Sequence, residues 1–226
     1  AAALLVCALH RRPLHVAHVS RRDEMELVVA GKALGLPVTC EVAPHHLFMT
    51  EGEARATLPG PGGRVEVRPR LAEQDDVDAL WEHMADIDVF ATDHAPHLPA
   101  EKDVSPPSMA PPGFPGLETA LPLLLTAVAE GRLTLAQLED RLVHNPRRIF
   151  RLPEQPDTFV ELEIGPQWTI PDRPAHSRAS WTPFAGRSVR GSISRVQLRG
   201  LLAYDRRHGV LAPQGYGTDV FSSSDL

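Results

Sequence analysis

The chain has 226 residues, enough to bury one sizeable core and to form one domain or one and a half. A formal charge of -6 speaks against a nucleic-acid binder, and no apolar stretch reaches the roughly 18 residues a membrane helix requires. With 42% hydrophobic and 23% charged residues, and cysteine only at Cys7 and Cys40, it reads as a soluble globular protein of a reducing compartment.

Residues 1–9 are apolar but have no charged region ahead of them, so they make a poor signal peptide. They read as the middle of a helix already under way, and the chain is expected to be a fragment that begins inside a fold. Residues 14–19 read as a buried strand ending at His18. Ser20 then caps a helix whose first turn carries Asp23 and Glu24, with Gly35 just past its end. Residues 38–42 form the next strand. The spacing of Val77, Leu80, Trp81 and Met84 predicts an amphipathic helix over 74–84, and 88–92 is a third strand. The Pro-rich stretch 103–115 reads as a loop, 116–130 as a helix, and Thr134 as the cap of another ending near Val143. A short final helix starts at Asn145. Beyond Pro153 the pattern changes to period two, at 159–164 and again at 189–198, which suits a small β domain from about residue 155. The last residues, 221–226, read as the start of a linker.

Alternating β, α and β elements predict parallel strands with crossover helices, an α/β fold. Chemistry-bearing residues stand at the C-terminal ends of all three strands: His18, Glu41 with His45 and His46 after it, and Asp93. In a (β/α)8 barrel that end carries the site. Three strands cannot close such a barrel, so five others would lie upstream. The expected organisation is a partial barrel over 1–154 and a β domain over 155–220.

Asp93 is the first candidate for chemistry. It ends an apolar run and opens Asp93-His94-Ala95-Pro96-His97, and a carboxylate delivered by a buried strand needs a partner, plausibly a metal ion, to offset its desolvation. His18 reads either as a ligand or as a structural hydrogen-bonder. Glu41 reads either as a ligand or as half of a buried ion pair. His45 and His46 read as structural, and His94 and His97 as one functional and one bracing residue. Arg68 either grips a substrate carboxylate or sits exposed. Cys7 and Cys40 lack the paired spacing of a zinc site.

Four segments recur in order in one known family. They are His-Val-Ala-His-Val-Ser-Arg-Arg-Asp-Glu at 15–24, Val-Thr-Cys-Glu-Val-Ala-Pro-His-His-Leu-Phe at 38–48, Ala-Thr-Asp-His-Ala-Pro-His at 91–97, and Pro-Gly-Phe-Pro-Gly-Leu-Glu-Thr-Ala-Leu-Pro-Leu-Leu-Leu at 112–125. Together with His-Asn-Pro-Arg-Arg-Ile-Phe at 144–150 and Trp-Thr-Pro-Phe at 181–184, they resemble dihydroorotase of the amidohydrolase superfamily. The form most resembled is the domain found in animal multifunctional proteins beside carbamoyl-phosphate synthetase and aspartate transcarbamoylase. The resemblance covers nearly the whole chain but only the second half of that domain.

It implies the C-terminal part of a (β/α)8 amidohydrolase barrel followed by a small β domain. The reaction implied is zinc-dependent cyclisation of carbamoyl-aspartate to dihydroorotate in pyrimidine synthesis. His18 is then a zinc ligand and Asp93 a metal-touching proton shuttle. Arg68 and His97 hold the substrate, and the Pro112-Gly113 backbone meets it. Glu41 matches an acid near an additional metal site. In that site a cysteine precedes the histidine, whereas here the residue is Ala17, so the additional metal is not expected. The superfamily's His-x-His pair, its bridging carboxylated lysine and a further histidine have no counterpart here. The isolated chain is therefore expected to be inactive and the full-length protein active, as a homo-oligomer in the cytoplasm with the nucleus as a second location. Two other readings are hydantoinase, dihydropyrimidinase or allantoinase, and a non-catalytic scaffold that has kept the fold.

Overall fold

The computed structural model describes residues 1–221. The linker expected at 221–226 lies, beyond Phe221, outside the described residues. Helix α1 (Ala2–His10) leads into β1 (Leu14–Val16), α2 (Arg22–Ala33) and β2 (Val38–Val42). Two short helices follow, α3 (Pro44–Phe48) and α4 (Glu51–Thr57), then α5 (Gln74–Glu82) and β3 (Val89–Phe90). The strands form one parallel sheet in the order β1-β2-β3, as the sequence predicts. In β2, Val38, Cys40 and Val42 are buried and join the core, while Thr39 and Glu41 occupy the opposite face. The register sets His15 of β1 directly beside Thr39.

Several expected boundaries move. β1 ends at Val16, not His18, because His18 adopts a left-handed conformation (φ 38°) that turns the chain out of the ladder. β3 is likewise only two residues long, and Asp93, three residues on, also has φ of 46°. Ser20 does not cap α2. Arg21 holds that position, and the Glu24 carboxylate accepts from the backbone N–H groups of Ser20 (3.0 Å) and Arg21 (3.2 Å). A single acid in the first turn thus satisfies two otherwise orphaned donors. α5 stops at Glu82 and passes into a 3-10 turn over Met84–Asp86. The expected loop at 103–115 is bracketed by α6 (Pro99–Lys102) and contains a 3-10 turn at Pro107–Met109.

Helix α7 (Leu117–Ala129) is as expected, and Thr134 does cap α8 (Leu135–Glu139) through a reciprocal pair with Gln137. α8 and α9 (Asn145–Phe150) are not separate helices. A π turn over Asp140–His144 joins them just ahead of Pro146, which has no N–H for an ordinary helical ladder.

Residues past 155 form an antiparallel sheet of β4 (Phe159–Thr169), β5 (Ser188–Leu198), β6 (Leu201–Asp205) and β7 (Gly209–Val210), in that order. It shares the core of the parallel half. Ile170, Trp181, Phe184 and Val189 join Leu123, Leu124 and Leu125 of α7 in one apolar cluster, and β5 lies along α7. The period-two pattern of β4 gives no buried face: Phe159, Val160, Leu162 and Ile164 are all exposed. β4 is an edge strand, and its Gly165, Pro166 and Trp168 line a cavity together with Leu117, Leu121 and Pro122 of α7. No helix among the described residues is long and apolar enough to cross a membrane.

Candidate active site

His18, Glu41 and Asp93 gather at the C-terminal ends of the parallel strands. Left-handed backbone is costly for histidine and aspartate alike, and it occurs here at the two positions just past β1 and β3. The two residues are near enough for the His18 charge to act on Asp93. Their charges feel each other: burial raises the Asp93 carboxyl above its ordinary range, His18 pulls it back and Glu41 pushes it further up. Glu41 is engaged from the other side, where His15 Nε2 lies 3.1 Å from its Oε2 and His15 Nδ1 2.8 Å from the Thr39 hydroxyl.

His45 and His46 are 2% and 1% exposed, with their rings edge to face at 4.3 Å. The expectation that they are structural holds for His46, whose Nε2 donates to the Pro69 carbonyl at 3.2 Å. Pro44 starts a single helical turn that swings both rings inward beneath the site. Burial, helped by the neighbouring imidazoles, keeps His45 neutral well below its ordinary pKa, and burial brings His46 down to about 4. His18 Nδ1, His45 Nε2 and His46 Nδ1 are buried with no hydrogen-bond partner among the described residues.

The substrate residues implied by the resemblance form a second group. Arg68, its side chain 51% exposed, donates to Glu66 Oε2 at 2.9 Å and lies just before a cis peptide bond to Pro69. His97 Nε2 donates to the Pro112 carbonyl at 3.2 Å, and its own carbonyl accepts from Trp181 Nε1 at 2.8 Å. Because Nε2 is spent on Pro112, a neutral His97 presents only a lone pair at Nδ1. That nitrogen lies 3.9 Å from Glu101 Oε2. Gly113 has φ of 137°, and a Cβ there would lie 2.4 Å from Ala95 Cβ, so only glycine fits between the two loops. His94 braces: its Nδ1 accepts from the N–H groups of Gly116 (2.9 Å) and Leu117 (3.2 Å), fixing the start of α7.

A zinc ion is implied by the resemblance, and the residues fit one side of its shell. His18 offers an unpartnered buried nitrogen, and Asp93 a desolvated carboxylate. No group of three or more His, Cys, Asp or Glu side chains converges as a metal site among the described residues. Cys40 faces the core on the opposite side of β2 from Glu41, and burial pushes its thiol up to about 11.

Lys102, Glu118 and Arg64 were missed from sequence. Each is a charged residue in a segment without periodicity or at a helix end, and its partners are distant in the chain: backbone carbonyls for Lys102, backbone N–H groups for Glu118 and the Asp103 carboxylate for Arg64.

No family model matches the chain. It is 51% identical over 220 residues to the multifunctional protein CAD of Squalus acanthias, covering 97% of this chain and 10% of that protein. It is 33% identical over 212 residues to a dihydroorotase of Pyrococcus abyssi, covering 91% of this chain and 49% of the relative. The chain is dihydroorotase-like across nearly its whole length. Among solved structures it is similar to an inactive dihydroorotase-like domain of a Chaetomium thermophilum CAD-like multifunctional protein, with 34% identity and a TM-score of 0.71, covering 89% of this chain and 54% of that one. It is also similar to an L-hydantoinase of Arthrobacter aurescens, with 28% identity and a TM-score of 0.86, covering 96% and 50%. The chain thus spans about a tenth of the multifunctional relative and about half of the shorter ones. Its architecture, a parallel α/β part followed by an antiparallel sheet, matches about half of that hydantoinase structure.

Proposed function

We propose that the protein carrying this sequence is a zinc-dependent dihydroorotase that interconverts N-carbamoyl-L-aspartate and dihydroorotate in de novo pyrimidine synthesis. In this reading the activity belongs to a cytoplasmic, homo-oligomeric multifunctional protein that also carries carbamoyl-phosphate synthetase and aspartate transcarbamoylase. The observation that carries the proposal is the juxtaposition of His18 with a desolvated Asp93 at the strand ends. When bound, zinc would polarise the reacting carbonyl and acidify the attacking water. His18 and Asp93 would hold it from this side.

The chain's own residues then move the proton and hold the anion. In the hydrolytic direction water adds to the ring amide carbonyl, and Asp93 takes the water's proton. As the C–N bond breaks, the Asp93 carboxyl passes that proton to the departing nitrogen. In cyclisation the side-chain carboxylate takes up a proton from solvent, the ureido nitrogen attacks it and gives a proton to Asp93, and Asp93 returns that proton to the departing oxygen, which leaves as water. Burial raises the Asp93 carboxyl above its ordinary range, which makes its carboxylate the stronger proton acceptor. Arg68 would exchange Glu66 for the substrate carboxylate.

The complete protein should consume dihydroorotate in an ultraviolet absorbance assay and leave hydantoin untouched. Preference for hydantoin would move it to the hydantoinases. We infer further that the isolated 226-residue chain turns over neither compound. Two bound zinc ions with turnover by that chain would overturn this inference. Likeness to an inactive dihydroorotase-like domain favours one alternative, a scaffold that has kept the fold without the chemistry. A complete protein that binds no zinc and turns over no substrate would establish it.

A further inference from the structure

Lys102 is among the largest wholly buried side chains of the described residues, at 0% exposure. Its ammonium has no carboxylate in contact. It donates instead to three main-chain carbonyls, those of Glu66 (2.7 Å), Pro111 (2.9 Å) and Gly113 (3.2 Å), and lies 5.9 Å over the Phe114 ring. An ammonium has three N–H donors, and each is used. Burying this charge is expensive, and burial pushes its pKa down to about 8, with Glu66 resisting and Arg68 assisting. A methionine of similar length would fill the same space without that cost. The charge is therefore in place for what it holds together.

The three carbonyls belong to the two segments that carry the proposed substrate contacts. Glu66 stands two residues before Arg68, and Pro111 and Gly113 flank the carbonyl that orients His97. The Glu66 carbonyl also accepts from Gly113 N at 3.0 Å, so one oxygen ties both segments to each other and to Lys102. At the other end of the junction the Lys102 carbonyl lies only 2.0 Å from where a Cβ on Gly63 would stand. Beside it Arg64 grips Asp103 with two bonds, of 2.8 and 2.6 Å.

We propose that Lys102 is a positioning residue for substrate binding: its ammonium clamps the Glu66, Pro111 and Gly113 carbonyls and so holds Arg68, His97 and the Pro112–Gly113 backbone in mutual register. Its effect on substrate rests on the dihydroorotase reading, while the clamp itself does not. Asp93 lies outside the clamp. Removing the ammonium should therefore weaken substrate binding far more than it slows the bound reaction.

The test compares wild type, Lys102→Met and Lys102→Gln in the complete protein. Lys102→Met should raise KM for dihydroorotate about tenfold with kcat within about threefold. Lys102→Gln, neutral but with two N–H donors, should fall between. Backbone amide exchange at Gly113, which donates within the clamp, should quicken about tenfold in the Met variant. Loss of kcat at unchanged KM, or unaltered exchange at Gly113, would overturn the proposal. Should the Met variant fail to fold, the Gln variant carries both readouts. If wild type turns over no dihydroorotate, it is the functional reading that fails, and amide exchange alone then decides the role of Lys102.

Discussion

At the scale of single residues, burial rather than pairing governs the ionisable groups of this site. Asp93 gains no hydrogen-bonded cation to offset its desolvation, so its carboxyl sits above the ordinary range. Such a group favours the folded state when protonated, and that contribution is lost as pH rises from 3.8 through the folded pKa. Asp93→Ala in the complete protein should abolish turnover while melting no lower than wild type at neutral pH. Activity within a few-fold of wild type would remove Asp93 from its catalytic role. His46 behaves oppositely. Its folded pKa of about 4 lies below the ordinary histidine value of 6.5, so it favours folding fully above pH 6.5 and progressively less as pH falls toward 4. The difference corresponds to about 3 kcal/mol at most. His46→Gln keeps a donor for the Pro69 carbonyl and removes the titration, so its denaturation midpoint should vary less between pH 6.5 and 4.

At the scale of elements, the loops are held by charged groups that satisfy backbone atoms rather than by apolar packing. Glu118 at the start of α7 is the plainest case. Its two oxygens accept from Ala175 N (2.8 Å), His176 N (3.1 Å) and Ser177 N (2.7 Å), and this pins the loop between β4 and β5 to the helix. Charge-assisted bonds of this kind contribute about 1.5–3 kcal/mol each when intact, less where solvent reaches them. Glu118→Ala should lower stability by about 2 kcal/mol in urea denaturation. Amide exchange should quicken at 175–177 before anywhere else, and uniform change across the chain would contradict this.

At the scale of the whole molecule, apolar surface is left facing outward. Leu5, Val6 and Leu9 of α1 are exposed, as are Phe150 and the side chains of β4 from Phe159 to Ile164. A long, apolar edge strand is a template for pairing with another chain. The isolated chain should therefore self-associate at micromolar concentrations in sedimentation velocity. Val160→Lys on β4 should shift it toward monomer. A monodisperse wild-type monomer would contradict this.

The order of elements was legible in the sequence because each step is local. Apolar runs bounded by glycine or a cap gave β1, β2, α2 and α7, and the strand-helix alternation gave a parallel sheet. Asp93 could be singled out because an acid closing an apolar run needs a partner to offset its desolvation, whereas His18 read either as a ligand or as a structural hydrogen-bonder and only the resemblance implied a ligand. Tertiary structure decided what no local pattern encodes. Left-handed backbone at His18 and Asp93 shortened two strands, and the fold left the two residues near enough for the His18 charge to act on Asp93. Whether β4 had a buried face depended on what stood against it, not on its alternation. Lys102 was invisible beforehand, since its partners are carbonyls, which every residue carries. Only the folding of two distant segments toward each other made those oxygens a binding site for a buried charge.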